Sequence, residues 1–146
     1  MNQPHDSSWL RSYLINRYSN NPHVQLLKIE VTDIEYGKAV LTMPTLEPVH
    51  SNSFGVIHGG AIASLADTTM SAACNSYGRF VVTLEMNINY LRAMPLSGVI
   101  RSCGEVIHGG RQTMVAEANI YNEDGALVAK ARGTFFVTTT IDKPNK

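Results

Sequence analysis

The amino-acid sequence predicts an α+β fold in which one antiparallel sheet wraps around a single long helix. Three observations predict it. Only one stretch, Gly59 to Ser76, is long enough and free enough of strong breakers to form a long helix. Two stretches before it and four after it carry the residue types and apolar–polar alternation of strands. The last four are joined by short turns, which make neighbouring strands antiparallel. With 146 residues and 44% hydrophobic content, the chain reads as one domain, residues 1–146, with enough material for its own core.

Twelve basic and twelve acidic residues cancel, and neither sign forms a long block. Bulk charge therefore argues for neither a nucleic-acid nor a membrane-surface partner. No apolar run approaches the roughly 18–20 residues of a membrane span. Met1 to Asp6 has neither the positive nor the apolar region of a secretory signal. Two cysteines, Cys74 and Cys103, are too few for a disulfide framework, so a reduced, cytoplasmic protein is expected.

Asp6-Ser7-Ser8 offers caps for a first helix over about 7–19, with Trp9, Leu10, Tyr13, Leu14 and Arg17 at helical spacing. Asn20-Asn21-Pro22 ends it. Leu27, Ile29 and Val31 alternate with Lys28, Glu30 and Thr32 as a half-buried strand, and Ala39 to Met43 forms a second that Pro44 stops. Thr45 to Phe54 is a loop into the long helix, which Gly78 follows in position for a left-handed stop. Next comes a strand with Leu84, Met86, Ile88 and Tyr90 on one face and Thr83, Glu85, Asn87 and Asn89 on the other. Strands at about Val99 to Ile107, Gln112 to Tyr121 and Ala126 to Thr138 follow, joined through Gly109-Gly110-Arg111 and an Asp-Gly turn at Asp124-Gly125. Residues 139–146 read as a polar, frayed tail. One helix covers only one face of a sheet, so the other face or the edge needs a partner and an oligomer is expected.

The long helix is odd for a purely structural element. Its start, His58-Gly59-Gly60, lacks the Ser, Thr, Asp or Asn that usually accepts the first free N–H groups. Such donors, at the positive end of the helix dipole, suit a ligand oxygen. Ile62, Leu65, Thr69, Ala72 and Ala73 fall on one half of the helix, opposite Asp67. Asp67 shares its half with Gly60, Ala63, Ser64, Ser71 and Cys74 and is the only charge between His58 and Ser76.

His50-x-Asn52-x-x-Gly55-x-x-His58-Gly59-Gly60 followed by Leu65-Ala66-Asp67 resembles the hot-dog-fold acyl-CoA thioesterases. The nearest branch is that of the phenylacetate-pathway (PaaI) and 4-hydroxybenzoyl-CoA thioesterases. The likeness extends to Thr83-Leu84-Glu85-Met86-Asn87, to Gly109-Gly110-Arg111 and to Ala131-Arg132-Gly133-Thr134-Phe135. It implies an acyl-CoA substrate, no separate cofactor, and a homodimer with two shared active sites, often paired into a homotetramer. By position Asp67 matches a general base or nucleophile, and Gly59 the helix-start amide that polarises the thioester carbonyl. Asn52 and His58 match polar residues lining the site, and Thr83 a residue reaching in from the neighbouring subunit. Gln112 is a departure, since a second basic residue is common there.

Thioester hydrolysis needs a donor for the oxyanion and a group that activates water or attacks the carbonyl. Each candidate also has a plainer role open to it. Asp67 could be a surface carboxylate, Asn52 a turn residue, His58 a helix-entry residue bonded to backbone, and Thr83 an ordinary strand residue. Arg111, beside Gly110, and Arg132 are candidates for the phosphates of coenzyme A or else solvated arginines. His50 and His58 have no further ligand at metal spacing, so no metal site is expected. Phe54, Met70, Tyr77 and Phe80 are candidates for lining an acyl pocket. The rival reading is a non-catalytic acyl-CoA binding or regulatory module on the same fold.

Overall fold

A computed structural model describes residues 8–143. The order is α1 (Ser8–Ser19), α2 (Pro22–Leu26), β1 (Glu30–Glu35), β2 (Lys38–Pro44), α3 (Glu47–His50), α4 (Gly59–Asn75), β3 (Arg79–Tyr90), β4 (Val99–Gly109), β5 (Thr113–Tyr121) and β6 (Leu127–Thr140). The six strands form one antiparallel sheet in the order β1-β2-β4-β5-β6-β3. The sheet curls around α4, which is the hot-dog arrangement.

The face of α4 opposite Asp67 is the core. Ile62, Leu65, Thr69, Ala72 and Ala73 are all buried, against an inner sheet face rich in alanine: Ala116, Ala118, Ala129 and Ala131. Small side chains let the helix settle close to the strands. Gly104 takes this furthest, because a Cβ there would stand 2.9 Å from Thr69 Cγ2 and 3.0 Å from its carbonyl oxygen. Gly78, at φ 75°, ends the helix in the left-handed conformation that glycine adopts without strain.

Several expectations need correction. The first strand starts at Glu30, not Leu27. Asn20-Asn21-Pro22 stops α1 but also starts α2, with Asn21 Oδ1 accepting the His23 and Val24 N–H groups. Leu27 and Ile29 lie in the turn after this short helix, where Lys28 has φ 57°, and are buried in the core. The loop before α4 contains α3, which Pro48 opens. The tail is not frayed from residue 139: β6 runs to Thr140, and buried Ile141 donates its N–H to Gly78 O at 2.7 Å. The caps at Asp6 and Ser7 lie outside the described residues.

The face pattern of β3 is also broken. The register against β6 pairs Thr83 with Phe135 but Glu85 with Thr134, so Leu84 is an extra residue. This bulge turns Thr83 inward toward α4, beside buried Phe135, while Glu85 faces out and accepts from Thr134 Oγ1 at 2.8 Å. Strict alternation puts Thr83 and Glu85 on one face; the bulge separates them. Beyond it Met86, Ile88 and Tyr90 lie opposite Gly133, Ala131 and Ala129 and share the inner face.

Candidate active site

The start of α4 is not bare. His58 is its N-cap, and its Nδ1 accepts the Gly60 N–H at 2.8 Å, the task a Ser or Asp usually performs. The His58 carbonyl accepts from Ala61 and Ile62, and its own N–H donates to His50 O. One donor is left over: among the described residues no acceptor takes the Gly59 N–H. Tyr90, at the end of β3, donates its hydroxyl to the Gly59 carbonyl at 2.7 Å.

Asp67 lies two turns further along the helix and is part-buried. Thr83 Oγ1 donates to Asp67 Oδ1 at 2.7 Å, within the same chain. No cation pairs with Asp67 among the described residues, and its Oδ2 has no partner there. The carboxylate is thus oriented through one oxygen and open at the other.

Asn52 shapes the approach to the helix. Its Oδ1 accepts the Phe54 and Val56 N–H groups, forming a turn completed by Gly55 at φ 75°. His50 is fully buried, its Nδ1 accepting from Leu46 N and its Nε2 donating to Leu27 O. Both of its nitrogens are committed to backbone. Cys74, in the last turn of the same helix, is buried, and burial pushes its thiol up to about 12, so it stays an unreactive thiol.

Two clefts flank this stretch of α4. One of about 310 Å³ lies beside Gly59, between the helix start and Tyr90 to Met94. The other, about 370 Å³, lies a turn beyond Asp67, lined by Tyr18, Ser71, Asn75 and Phe80 to Val82. Of the four residues proposed to line an acyl pocket, only Phe80 lines either. Phe54 is 87% exposed, Met70 is sealed in the core, and Tyr77 packs at the far end of the helix against Gly37 and Gly109.

The two arginines do not come together. Arg132 faces outward from β6 beside Glu117, which it approaches to 3.9 Å and which Lys130 also approaches. Arg111 is exposed in the β4–β5 turn. That turn has structural reasons for its glycines: a Cβ on Gly109 would meet Tyr77 at 2.7 Å, and one on Gly110 the Thr113 carbonyl at 2.6 Å. Arg79 braces it by donating to Gly110 O at 2.8 Å. Arg79 and Tyr90 lie outside the motifs that mark the site in the sequence. For Tyr90 a signal existed, since inward alternation from Met86 and Ile88 puts it on the helix side of the sheet.

Few substrates can be cleaved with one amide and one carboxylate. A thioester can, because its thiolate leaves without strong acid assistance. The class this fold and site define is that of the hot-dog thioester hydrolases. The family model of the thioesterase superfamily matches residues 54–129, just over half of the sequence, and the chain belongs to that superfamily. Acyl-coenzyme A thioesterase PaaI of Escherichia coli is 34% identical over 116 residues, covering 80% of this chain and 82% of the relative. A 1,4-dihydroxy-2-naphthoyl-CoA hydrolase of Listeria monocytogenes is 35% identical over 116 residues, covering 77% and 93%. Among solved structures, the Escherichia coli PaaI protein superposes with TM-score 0.83 at 31% identity, covering 93% and 97%. A hypothetical thioesterase from Streptococcus pneumoniae with coenzyme A superposes with TM-score 0.81 at 31% identity, covering 88% and 99%.

Proposed function

We propose that this thioester hydrolase acts on acyl-CoA or aryl-CoA, releasing the free acid and coenzyme A. The observation that carries the reading is the Asp67 carboxylate, held through one oxygen by Thr83, on the helix whose first N–H is that of Gly59; among the described residues neither the second carboxylate oxygen nor that N–H has a partner. The names of the relatives and the coenzyme A in the Streptococcus pneumoniae structure favour the substrate. Two further structures of the Streptococcus pneumoniae thioesterase carry an Asp→Ala and a Thr→Ala substitution sixteen positions apart, the separation of Asp67 and Thr83 here.

In this mechanism the thioester oxygen receives the Gly59 N–H and gains negative charge as the carbonyl is attacked. Asp67 takes the proton of an attacking water, or attacks itself to give an anhydride that water then opens. The C–S bond breaks, and the coenzyme A thiolate leaves and takes up a proton. After a single turnover in labelled water, labelled oxygen in Asp67 marks the second route, in which water opens the anhydride at the Asp67 carboxyl and the acid departs with an Asp67 oxygen. His58 and Asn52 act through the backbone they hold. Arg111, with Gly110, is the better-placed contact for a coenzyme A phosphate, because Arg132 already faces Glu117.

The site is completed by a second copy of the chain. Eight residues of helix separate the Gly59 and Asp67 α-carbons by roughly 12 Å, too far for both to serve one carbonyl directly. A partner whose α4 runs antiparallel brings its Asp67 beside Gly59. The outer edge of β3 has no neighbouring strand among the described residues, and Val82 and Leu84 beside it are 52% and 58% exposed. Pairing through this edge gives a homodimer, and two dimers a homotetramer.

Asp67→Asn tests the reading with free-thiol release from a panel of acyl- and aryl-CoA thioesters. Turnover is expected to fall by roughly 10²–10⁴-fold with binding retained. Unaltered turnover rejects the role of Asp67. Tight acyl-CoA binding by the wild type with no thiol released favours instead a non-catalytic binding module.

A further inference from the structure

We propose that Tyr90 is a positioning residue for the reaction, holding the first peptide units of α4 in the orientation that presents the Gly59 N–H to substrate. The inference rests on the reading of Gly59 as the oxyanion donor. Gly59 has no side chain to fix it, and the first turn of a helix frays unless its groups are bonded. The peptide unit before it is held by the His58 carbonyl, which accepts from Ala61 at 3.0 Å and Ile62 at 3.4 Å. The unit after it is held at one end by His58 Nδ1 on the Gly60 N–H. Tyr90 holds the other end through its 2.7 Å bond to the Gly59 carbonyl.

The ring does a second job. A Cβ on residue 59 would stand 3.2 Å from Tyr90 Cζ and 3.3 Å from its hydroxyl oxygen. Glycine at 59 is what allows the phenol to lie over the helix start. Tyr90 is itself well anchored: it pairs with Ala129, and the N–H groups of Leu91 and Arg92 both donate to Val128 O. Burial pushes the Tyr90 phenol above the usual tyrosine value, so it remains a hydrogen-bond donor throughout the neutral range. β3 thereby serves both parts of the site from one face, Thr83 on Asp67 and Tyr90 on Gly59.

The competing view, a tyrosine that merely covers the helix start, is separated by Tyr90→Phe, which keeps the ring and removes the hydroxyl. With an acyl-CoA thioester that the wild type hydrolyses, kcat is expected to fall roughly five- to tenfold with KM within about twofold. In protein labelled with ¹⁵N-glycine, the Gly59 amide resonance is expected to move while that of Gly125 stays put. A kcat within about twofold of wild type together with an unmoved Gly59 resonance overturns the proposal. If the wild type releases no thiol, the hydrolase reading fails by itself. The glycine resonance then still decides whether the Tyr90 hydroxyl fixes the helix start.

Discussion

The two ends of α4 treat their polar groups in opposite ways. At the C-terminal end the Asn75 and Ser76 side chains are fully engaged. Ser76 Oγ donates to Ala73 O at 2.6 Å and accepts the Gly37 N–H at 2.7 Å. Asn75 Nδ2 donates to Tyr18 OH, its Oδ1 accepts the Val81 N–H, and Tyr18 OH also bonds Ser71 Oγ. Toward the other end, the Gly59 N–H and the Asp67 Oδ2 find no partner among the described residues although their neighbours are firmly held. That contrast supports the roles we propose for the Gly59 N–H and the Asp67 carboxylate.

Thr83→Val breaks the comparison at the open end. Valine keeps the shape and strand propensity but cannot hold the carboxylate, so kcat is expected to fall by about tenfold with little change in KM. Steady-state thiol release checks this; a kcat equal to wild type leaves the Thr83 bond without a role in turnover. Tyr18→Phe sharpens the comparison at the closed end. It strips partners from Asn75 and Ser71, and thermal or urea unfolding is expected to show a loss of about 1–2 kcal/mol. Turnover well below the unfolding temperature is expected to stay within about twofold of wild type, because the bonds of the Tyr18 hydroxyl run to Ser71 and Asn75 and not to Asp67 or Gly59.

The long helix, its buried face, Gly78 and the six strands were legible in the sequence because periodicity and breakers act over short range. The family was legible from the His58-Gly59-Gly60 and Asp67 spacing. What sequence periodicity could not show were the places where tertiary contact overrides a local rule. His58 lacks the look of a cap because an imidazole rarely serves as one. Thr83 shares a face with Glu85 on paper, and only pairing with β6 exposes the bulge at Leu84 that turns it toward Asp67. Asn21 closes one helix and opens another within a single residue, which shifted the first strand. Arg111 and Arg132 are close in chemistry but sit on different parts of the sheet, a separation set by strand order rather than spacing.

The central claim, that Gly59 of one copy and Asp67 of another act on one carbonyl, is tested most directly by mixing two inactive variants. Gly59→Val drives a side chain into Tyr90, and Asp67→Asn removes the carboxylate; circular dichroism establishes that each is folded before they are co-refolded. In a mixed dimer one site receives Gly59 from the Asp67→Asn chain and Asp67 from the Gly59→Val chain. Random pairing makes half the dimers mixed, each with one intact site, so the mixture is expected to regain about a quarter of wild-type turnover. A mixture no more active than its two parents would contradict a site built across two chains.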